Sequence, residues 1–385
     1  MHEPFEGLEF VMPSALVFET DQSFRARVKR NQARPSQYGN TSIFRHNGQN
    51  IVMGQEALTN GQRVRMAGAA KYKAGIIDNL IFGALLKAAP EGHDNVFVSF
   101  GHSANAVSSS DAIGDLIGGK HELERADGVM VKYFVRNVVP WDEPAGSALR
   151  FAERERDSGA LAPGQKIIIV DIGGRVSSIY AAETLPGEAI QIYWNEGESF
   201  EGGIQIITEQ LEQLLRDMHP EFAQLSTISP LTFEQALRTT RIVTHPEDGN
   251  QYVHHYTMFQ GREVDVTQAV WNATAPLMDT VRSIYDQRLR SGSDASYIVV
   301  GGGGGGLLFD SLRNDAISHE FVYKAEADDA MHLANLRGAM ISTNAYAIEH
   351  YKQLVKVTKD NRVIRPLELI VDAGNTNTKA KALWL

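Results

Sequence analysis

One short unit occurs twice in this chain, and it constrains the fold more than any other feature. Lys166 to Glu183 reads K-I-I-I-V-D-I-G-G-R-V-S-S-I-Y-A-A-E, and Leu369 to Leu385 reads L-I-V-D-A-G-N-T-N-T-K-A-K-A-L-W-L. Each is an apolar run that ends on an Asp, passes through x-Gly and a small polar turn, and returns along a second run. Short β-branched runs bounded by turn residues are the pattern of buried strands joined as a hairpin. A carboxylate at the tip of a buried strand is costly unless a partner or a ligand meets it. The two copies lie just over half the chain apart, with helical and strand patterns mixed between them, so the reading is an α/β protein of two related halves.

Length and composition narrow the class. At 385 residues there is chain for about two cores, and a make-up of 43% hydrophobic and 22% charged residues is that of a globular protein. No window approaches the ~18 uninterrupted apolar residues of a membrane span, so no membrane partner is expected. Glu3 and Glu6 without an early Lys or Arg do not make a leader, and no cysteine is present for disulfides or thiolate metal sites. A cytoplasmic location is the expectation. The net charge of −10 opposes direct nucleic-acid binding. Arg25, Arg27, Lys29 and Arg30 form a local basic run, read as a solvated strand edge or loop.

Along the first half, residues 8–19 read as a strand broken at Met12-Pro13-Ser14. Ala74 to Ala89 is apolar on most faces and stops at Pro90, a buried helix. Asn95 to Phe100 and Val129 to Val139 read as strands, the second ending at Pro140, and Pro144 to Arg156 as a helix. The stretch from Ser158 to Gly164 suits a domain crossing. In the second half a strand is expected near Ile190 to Trp194. A helix opening at Gly202-Gly203 would set Ile204, Ile207, Leu211, Leu214 and Leu215 on one face. Tyr252 to Met258 reads as a strand and Thr267 to Arg290 as a long helix, with Thr267 at its start. Tyr297 to Val300 is a strand running into Gly301–Gly306, Leu307 to Arg313 opens a helix, 331–354 is helical, and 357–366 is a connector.

Three places carry chemistry. In Asp372-Ala373-Gly374-Asn375-Thr376-Asn377-Thr378-Lys379, a bare glycine lets backbone amides approach an anion, the turn supplies small donors, and Lys379 returns a positive charge. Asp372 suits the waters of a hard cation. By itself this turn is equally an Asn/Thr-rich hairpin with no ligand, and Asp171-Ile172-Gly173-Gly174 is as ambiguous alone. Their pairing favours a site in which two facing hairpins hold the phosphates of a nucleotide and its Mg²⁺. The third place is Gly301-Gly302-Gly303, where a flexible linker is the alternative. A linker is not expected between an apolar strand and an amphipathic helix, whereas strand, glycines and helix let a flat ring or phosphate lie on bare backbone. His245, His254 and His255 lack the neighbours of a metal site and read as a surface hairpin. Gly101-His102-Ser103-Ala104-Asn105 lacks the closing glycine of a nucleophile elbow.

Together these motifs resemble those of the actin-like ATPases, in the superfamily shared with heat-shock chaperone ATPases and sugar kinases, and most of all the ParM-type filament proteins. Asp372 to Lys379 is similar to the first phosphate loop of that family, Asp171 to Ser177 to the second, and Gly301-Gly302-Gly303 to the adenosine loop. Softer matches are Met12-Pro13-Ser14, Val52 to Ala57, and Ala334-Asn335-Leu336-Arg337-Gly338. The resemblance implies an actin-like (ribonuclease H-like) fold with two related domains around a nucleotide cleft. Domain I would comprise 1–160 with 332–385, its first phosphate loop on the hairpin 367–385, and domain II would comprise 161–331. The order of the loops departs from the family. The first phosphate loop comes last, as in a circular permutation, which requires the two ends of the chain to be neighbours at one edge of one sheet.

The resemblance further implies a Mg-dependent ATP hydrolase coupled to polymerisation. ATP or ADP would be bound by Asp372, Gly374, Asn375, Thr376, Asn377, Lys379, Gly173, Gly174, Gly301, Gly302 and Gly303. Mg²⁺ would be held through its waters by Asp372 and Asp171. The family places a Glu or Gln near the start of the interdomain helix to orient the attacking water. Here Glu143 is the candidate, with Asp142 second and an ordinary acidic helix start as the alternative. Self-assembly into filaments for plasmid or other DNA-cargo segregation is implied, with DNA held by a separate adaptor protein. A small-molecule kinase and a non-polymerising ATPase switch of the same superfamily are the alternatives.

Overall fold

Both hairpins form, and each is built into a sheet of its own. The structure, a computed structural model, describes residues 7–33, 41–58, 65–66, 75–102, 110–155, 163–186, 190–244, 246–247, 249–289, 295–315, 322–327, 330–341, 354, 356–357, 363–373 and 377–384. The chain divides into two compact units, Met1–Gly146 with Leu336–Leu385, and Ser147–Asn335.

In chain order the first unit contains β1 (Gly7–Pro13), β2 (Ala15–Glu19), α1 (Asp21–Ala33), β3 (Thr41–His46), β4 (Gln49–Gly54), α2 (Gln55–Leu58), β5 (Arg65–Met66), α3 (Ile77–Ala88), β6 (His93–His102), α4 (Ser110–Ile117), β7 (Gly119–Arg125) and β8 (Met130–Asp142). Helix α5 (Glu143–Glu155) contains the crossing after Gly146. The second unit contains β9 (Lys166–Ile172), β10 (Val176–Thr184), β11 (Ile190–Glu201), α6 (Ile204–Met218), α7 (Pro220–Ala223), α8 (Pro230–Arg238), β12 (Thr240–Thr244), β13 (Gln251–Phe259), β14 (Arg262–Asp265), α9 (Thr267–Leu289), β15 (Ala295–Gly301), α10 (Gly305–Asp315) and β16 (Val322–Lys324). The return to the first unit brings β17 (Lys356–Val357), β18 (Val363–Ile364), β19 (Leu367–Ala373) and β20 (Asn377–Trp384).

The two units share a sheet path. The second has the order β11-β10-β9-β15-β16, with β11, β10 and β9 antiparallel and β9, β15 and β16 parallel. The ten-stranded sheet of the first opens with β1-β20-β19-β6-β8 in the same pattern of directions. The chain enters these two paths at different points. In the second unit it starts at the strand carrying Asp171. In the first it starts at β1, and the strands equivalent to the hairpin arrive last. The ends are thereby zipped together, with Gly7 opposite Leu383 and Pro13 opposite Asn377, on the outermost strand of the sheet.

Alternation along these strands decides what lies where. On β9, Ile168, Val170 and Ile172 join the core under α6 and α9. Ile167 and Ile169 point the other way, among Ala148, Phe151, Met331 and Ala334. Asp171 is in phase with the second set. On β19, Leu367, Leu369, Val371 and Ala373 pack in the core with α3, which leaves Asp372 to the opposite face. Helix α6 buries Ile207, Leu211 and Leu215, one stripe at helical spacing, each worth about 1.5–3 kcal/mol of apolar burial.

Several local expectations are corrected. The basic run of Arg25, Arg27, Lys29 and Arg30 lies in helix α1, and Arg27 is buried between Glu19 and Glu56. Strand β8 continues through Pro140 to Asp142. Its pairing with β7 ends at Val135, so Pro140 sits where one flank needs no amide donor. His255 is fully buried, its ring between the Ala236 carbonyl at 3.0 Å and the Ser311 hydroxyl at 3.2 Å. His245 lies outside the described residues.

Candidate functional site

In the second unit the strand tip, the glycine turn and the glycine run come together. Gly301 is the register partner of Asp171 across the parallel pair β15 and β9. A Cβ added at Gly301 would lie 2.7 Å from Ser147 Cβ and inside its hydroxyl. One at Gly302 would lie 2.8 Å from Asp171 Oδ1 and collide with the Ile172 carbonyl, and Gly302 is left-handed at φ +78°. Gly303 differs, since it is exposed and its nearest neighbour would be His332 Cβ at 3.9 Å. Gly301 therefore makes room for Ser147 and Gly302 for the Asp171 carboxylate, and the third leaves a bare stretch of backbone.

The turn after Asp171 is fastened to the start of α6. The Ile204 N–H donates to the Gly173 carbonyl at 3.0 Å and the Gln205 N–H to the Gly174 carbonyl at 2.7 Å. A Cβ on Gly173 would lie 2.5 Å from the Val176 carbonyl. Asp171 itself is only 8% exposed. Its Oδ1 accepts from Asn335 Nδ2 at 3.0 Å, and Asn335 Oδ1 accepts from the Ser147 hydroxyl at 2.5 Å.

In the first unit Asp372 and Lys379 face one another across β19 and β20, with Nζ 2.6 Å from Oδ2 and both side chains buried. The register makes Lys379 the counterpart of Ser178, which faces Asp171. Thr378 is completely buried, and its hydroxyl meets that of Ser14 at 2.8 Å, which ties the Met12-Pro13-Ser14 segment to the hairpin. Asn377 is half-buried opposite Pro13. Gly374, Asn375 and Thr376 lie outside the described residues.

Glu143 opens helix α5, half-buried, and a Cβ on Gly101 would lie 3.0 Å from its Cγ. Phe100 is the partner of Val371, so Gly101 follows one residue beyond, at the end of the sheet where Asp372 lies. Asp142 is engaged by the buried His102, Nε2 to Oδ1 at 3.1 Å, and Glu143 is the acid set over Gly101. Ser103, Ala104 and Asn105 lie outside the described residues.

The fit of these residues to a magnesium nucleotide can be judged from the cradle. Among the described residues no group of three or more His, Cys, Asp or Glu could hold a bare metal ion. A single carboxylate beside a phosphate suits a cation that keeps most of its waters, and each unit offers one such carboxylate at a strand tip. Lys379, paired with Asp372, would supply a point charge to a phosphate bound beside it. The exposed backbone at Gly303 would leave room for the rest of the molecule.

No protein-family model matches the sequence, and no curated protein does. Solved structures do. An archaeal actin homologue matches with a TM-score of 0.61 at 15% identity, covering 88% of this chain and 93% of that one. The fold is actin-like. The actin-like protein Alp7A matches at 0.59 and 13% identity over 90% of this chain and 92% of its own. The protomer of a 15-stranded ParM filament from Clostridium botulinum matches at 0.57 and 14% identity over 87% and 92%. The archaeal homologue is also known in complex with ADP.

Within the actin-like fold, sequence reasoning named Asp171, the glycines and Asp372 but passed over Ser147 and Asn335. Asn335 stood in a recognisable motif, Ala334 to Gly338, without a role. Ser147 carries no sequence signal, because a serine inside a helix is ordinary until its neighbours are known.

Proposed function

We propose that this protein is an actin-like ATPase that assembles into nucleotide-dependent filaments. The observation that carries the reading is the repeated sheet path, with a buried Asp at the tip of the equivalent strand in each unit and a bare glycine beside it. Two such tips within an actin-like fold are the arrangement a magnesium nucleotide uses. When bound, Mg²⁺ would supply charge neutralisation at the phosphates. The chain's own part is to present Asp171 and Asp372 to metal-bound water and Lys379 to phosphate. The turns at Gly173-Gly174 and at Gly374, Asn375, Thr376 and Asn377 line the phosphates, and the run Gly301-Gly302-Gly303 meets the nucleoside at the exposed backbone of Gly303. Glu143 orients the attacking water, which needs a positioned acceptor more than covalent help.

Filament formation is supported by the likeness to a protomer that forms a 15-stranded filament. A contact that repeats head to tail without closing generates such a polymer. Segregation of plasmid or other DNA cargo in the cytoplasm, through a DNA-bound adaptor, is the cellular role we attach to it. The acidic chain is unsuited to hold DNA itself. The first unit is read as a circular permutant, since its sheet path is that of the second unit entered two strands later.

The test is high-speed pelleting with negative-stain imaging in Mg-ATP, Mg-ADP and no nucleotide. Filaments that appear with Mg-ATP and are lost in Asp171→Ala support the reading. A protein that stays in the supernatant under every condition at high concentration refutes the filament. Phosphorylation of an added metabolite would replace it with the kinase.

A further inference from the structure

Asn335 is 5% exposed and Ser147 is completely buried, next in sequence to Ala334 and Ala148 of the apolar cluster that includes Phe151, Ile169 and Met331. Polar groups persist in such surroundings when each is satisfied by another. The geometry here has one solution. An ionised carboxylate only accepts, so Asn335 must turn its amide nitrogen to Asp171, and its carbonyl must then face a donor, which is the Ser147 hydroxyl. Serine, asparagine and aspartate thus form a directed chain from helix α5 to the strand tip. Gly301 and Gly302 hold the space for it, because a methyl at the first would strike Ser147 and at the second would strike Asp171 Oδ1.

We propose that Asn335 is a positioning residue for nucleotide binding. It holds the Asp171 carboxylate in one orientation beside the Gly173-Gly174 turn, and Ser147 in turn keeps the Asn335 amide from flipping. The inference rests on the reading of Asp171 as the group that meets magnesium-bound water. A carboxylate that must meet a hydrated cation at one angle loses affinity when it is free to rotate, even though its charge remains. Asn335 touches neither cation nor phosphate in this scheme, so its effect passes entirely through Asp171.

The experiment measures a fluorescent ADP analogue binding to the full chain, with Mg²⁺ and in excess EDTA, for wild type, Asn335→Ala, Ser147→Ala, Asp171→Ala and the Asn335→Ala/Asp171→Ala double variant. Loss of one hydrogen bond to a charged group predicts about a ten- to hundredfold weakening of Mg-ADP binding in Asn335→Ala. Ser147→Ala should lose less, and neither should change the binding measured in EDTA. The double variant should bind no more weakly than Asp171→Ala alone, since a residue that acts through another adds nothing once that other is gone. Thermal unfolding without nucleotide accompanies each variant. If Asn335→Ala fails to fold, Ser147→Ala carries the same comparison. Equal weakening with and without Mg²⁺, a loss that persists in the Asp171→Ala background, or no loss at all would overturn the proposal while leaving nucleotide binding intact. A wild type that binds no nucleotide in either condition would overturn the proposed function and this inference with it.

Discussion

The glycine run from Gly301 to Gly306 offers the sharpest test of the site, because neighbouring glycines are held for different reasons. Take Gly302→Ala and Gly303→Ala as a pair. At Gly302 the backbone is left-handed, which costs an L-residue about 1–2 kcal/mol, and the new methyl would meet the Ile172 carbonyl and Asp171 Oδ1. Neither neighbour is a flexible chain end, so overpacking adds about 1–3 kcal/mol. The sum is about 2–5 kcal/mol, or roughly 4–20 °C in Tm for a unit of this size. At Gly303 the methyl would sit 3.9 Å from its nearest neighbour, an ordinary contact that needs no adjustment. Stability should hold there or rise by about 0.4–1 kcal/mol, because alanine narrows the unfolded ensemble. If open backbone at Gly303 is where a nucleoside packs, however, the same methyl should weaken ADP binding about tenfold. Thermal unfolding and an ADP titration on both variants separate the two roles. Equal Tm values for the pair would show a run that behaves as a linker and refute the argument. A Gly303→Ala variant that binds ADP as well as wild type would refute the placement of the ligand.

Two further predictions concern groups away from the site. Arg27→Met should cost about 3–5 kcal/mol in urea denaturation, since it leaves the buried Glu19 and Glu56 carboxylates without their shared cation. A change of less than about 1 kcal/mol would mean the two acids find other partners. Burial lowers the pKa of His255, so the folded protein keeps the neutral ring while the unfolded chain takes up a proton near 6.5. The unfolded state then binds more protons below that value. Stability is full above about pH 6.5 and falls as the pH is lowered through the window beneath it. His255→Asn should be less stable than wild type at pH 7.5, and the gap should narrow by pH 5.5. A constant gap would show that the ring does not titrate on unfolding.

What could be read from the sequence was whatever repeats with a period or is punctuated by glycine. The strands carrying Asp171 and Asp372, helix α6 with its stripe, and the passage from β15 through glycines to α10 were all visible for that reason. Helix α1 was missed because most of its residues are polar or charged and its buried contacts include an arginine, which no apolar pattern reveals. His255 looked like part of a surface hairpin because β13 alternates, and one of its two faces is a core face. Thr267 begins α9 as expected, its N–H donating to the Asp265 carboxylate at 2.9 Å while its hydroxyl accepts from the His255 N–H. The chain of Ser147, Asn335 and Asp171 was illegible because its members stand 24 and 164 positions from Asp171 and meet only in three dimensions.

The pairing of Gly7–Pro13 with Asn377–Leu383 has a consequence for how the molecule comes into being. Synthesis runs from the amino end, and domains fold as their last strand becomes available. The Ser147–Asn335 unit is contiguous, and its sheet is complete once β16 has been made. The other unit lacks two adjacent strands until β19 and β20 are made, so β1 waits unpaired beside the gap that they will fill. The strand that carries Asp372 and its partner β20 are therefore the last described strands of that sheet to pair. A chain interrupted between Asn335 and β19 would hold one finished unit and one open, adhesive sheet edge.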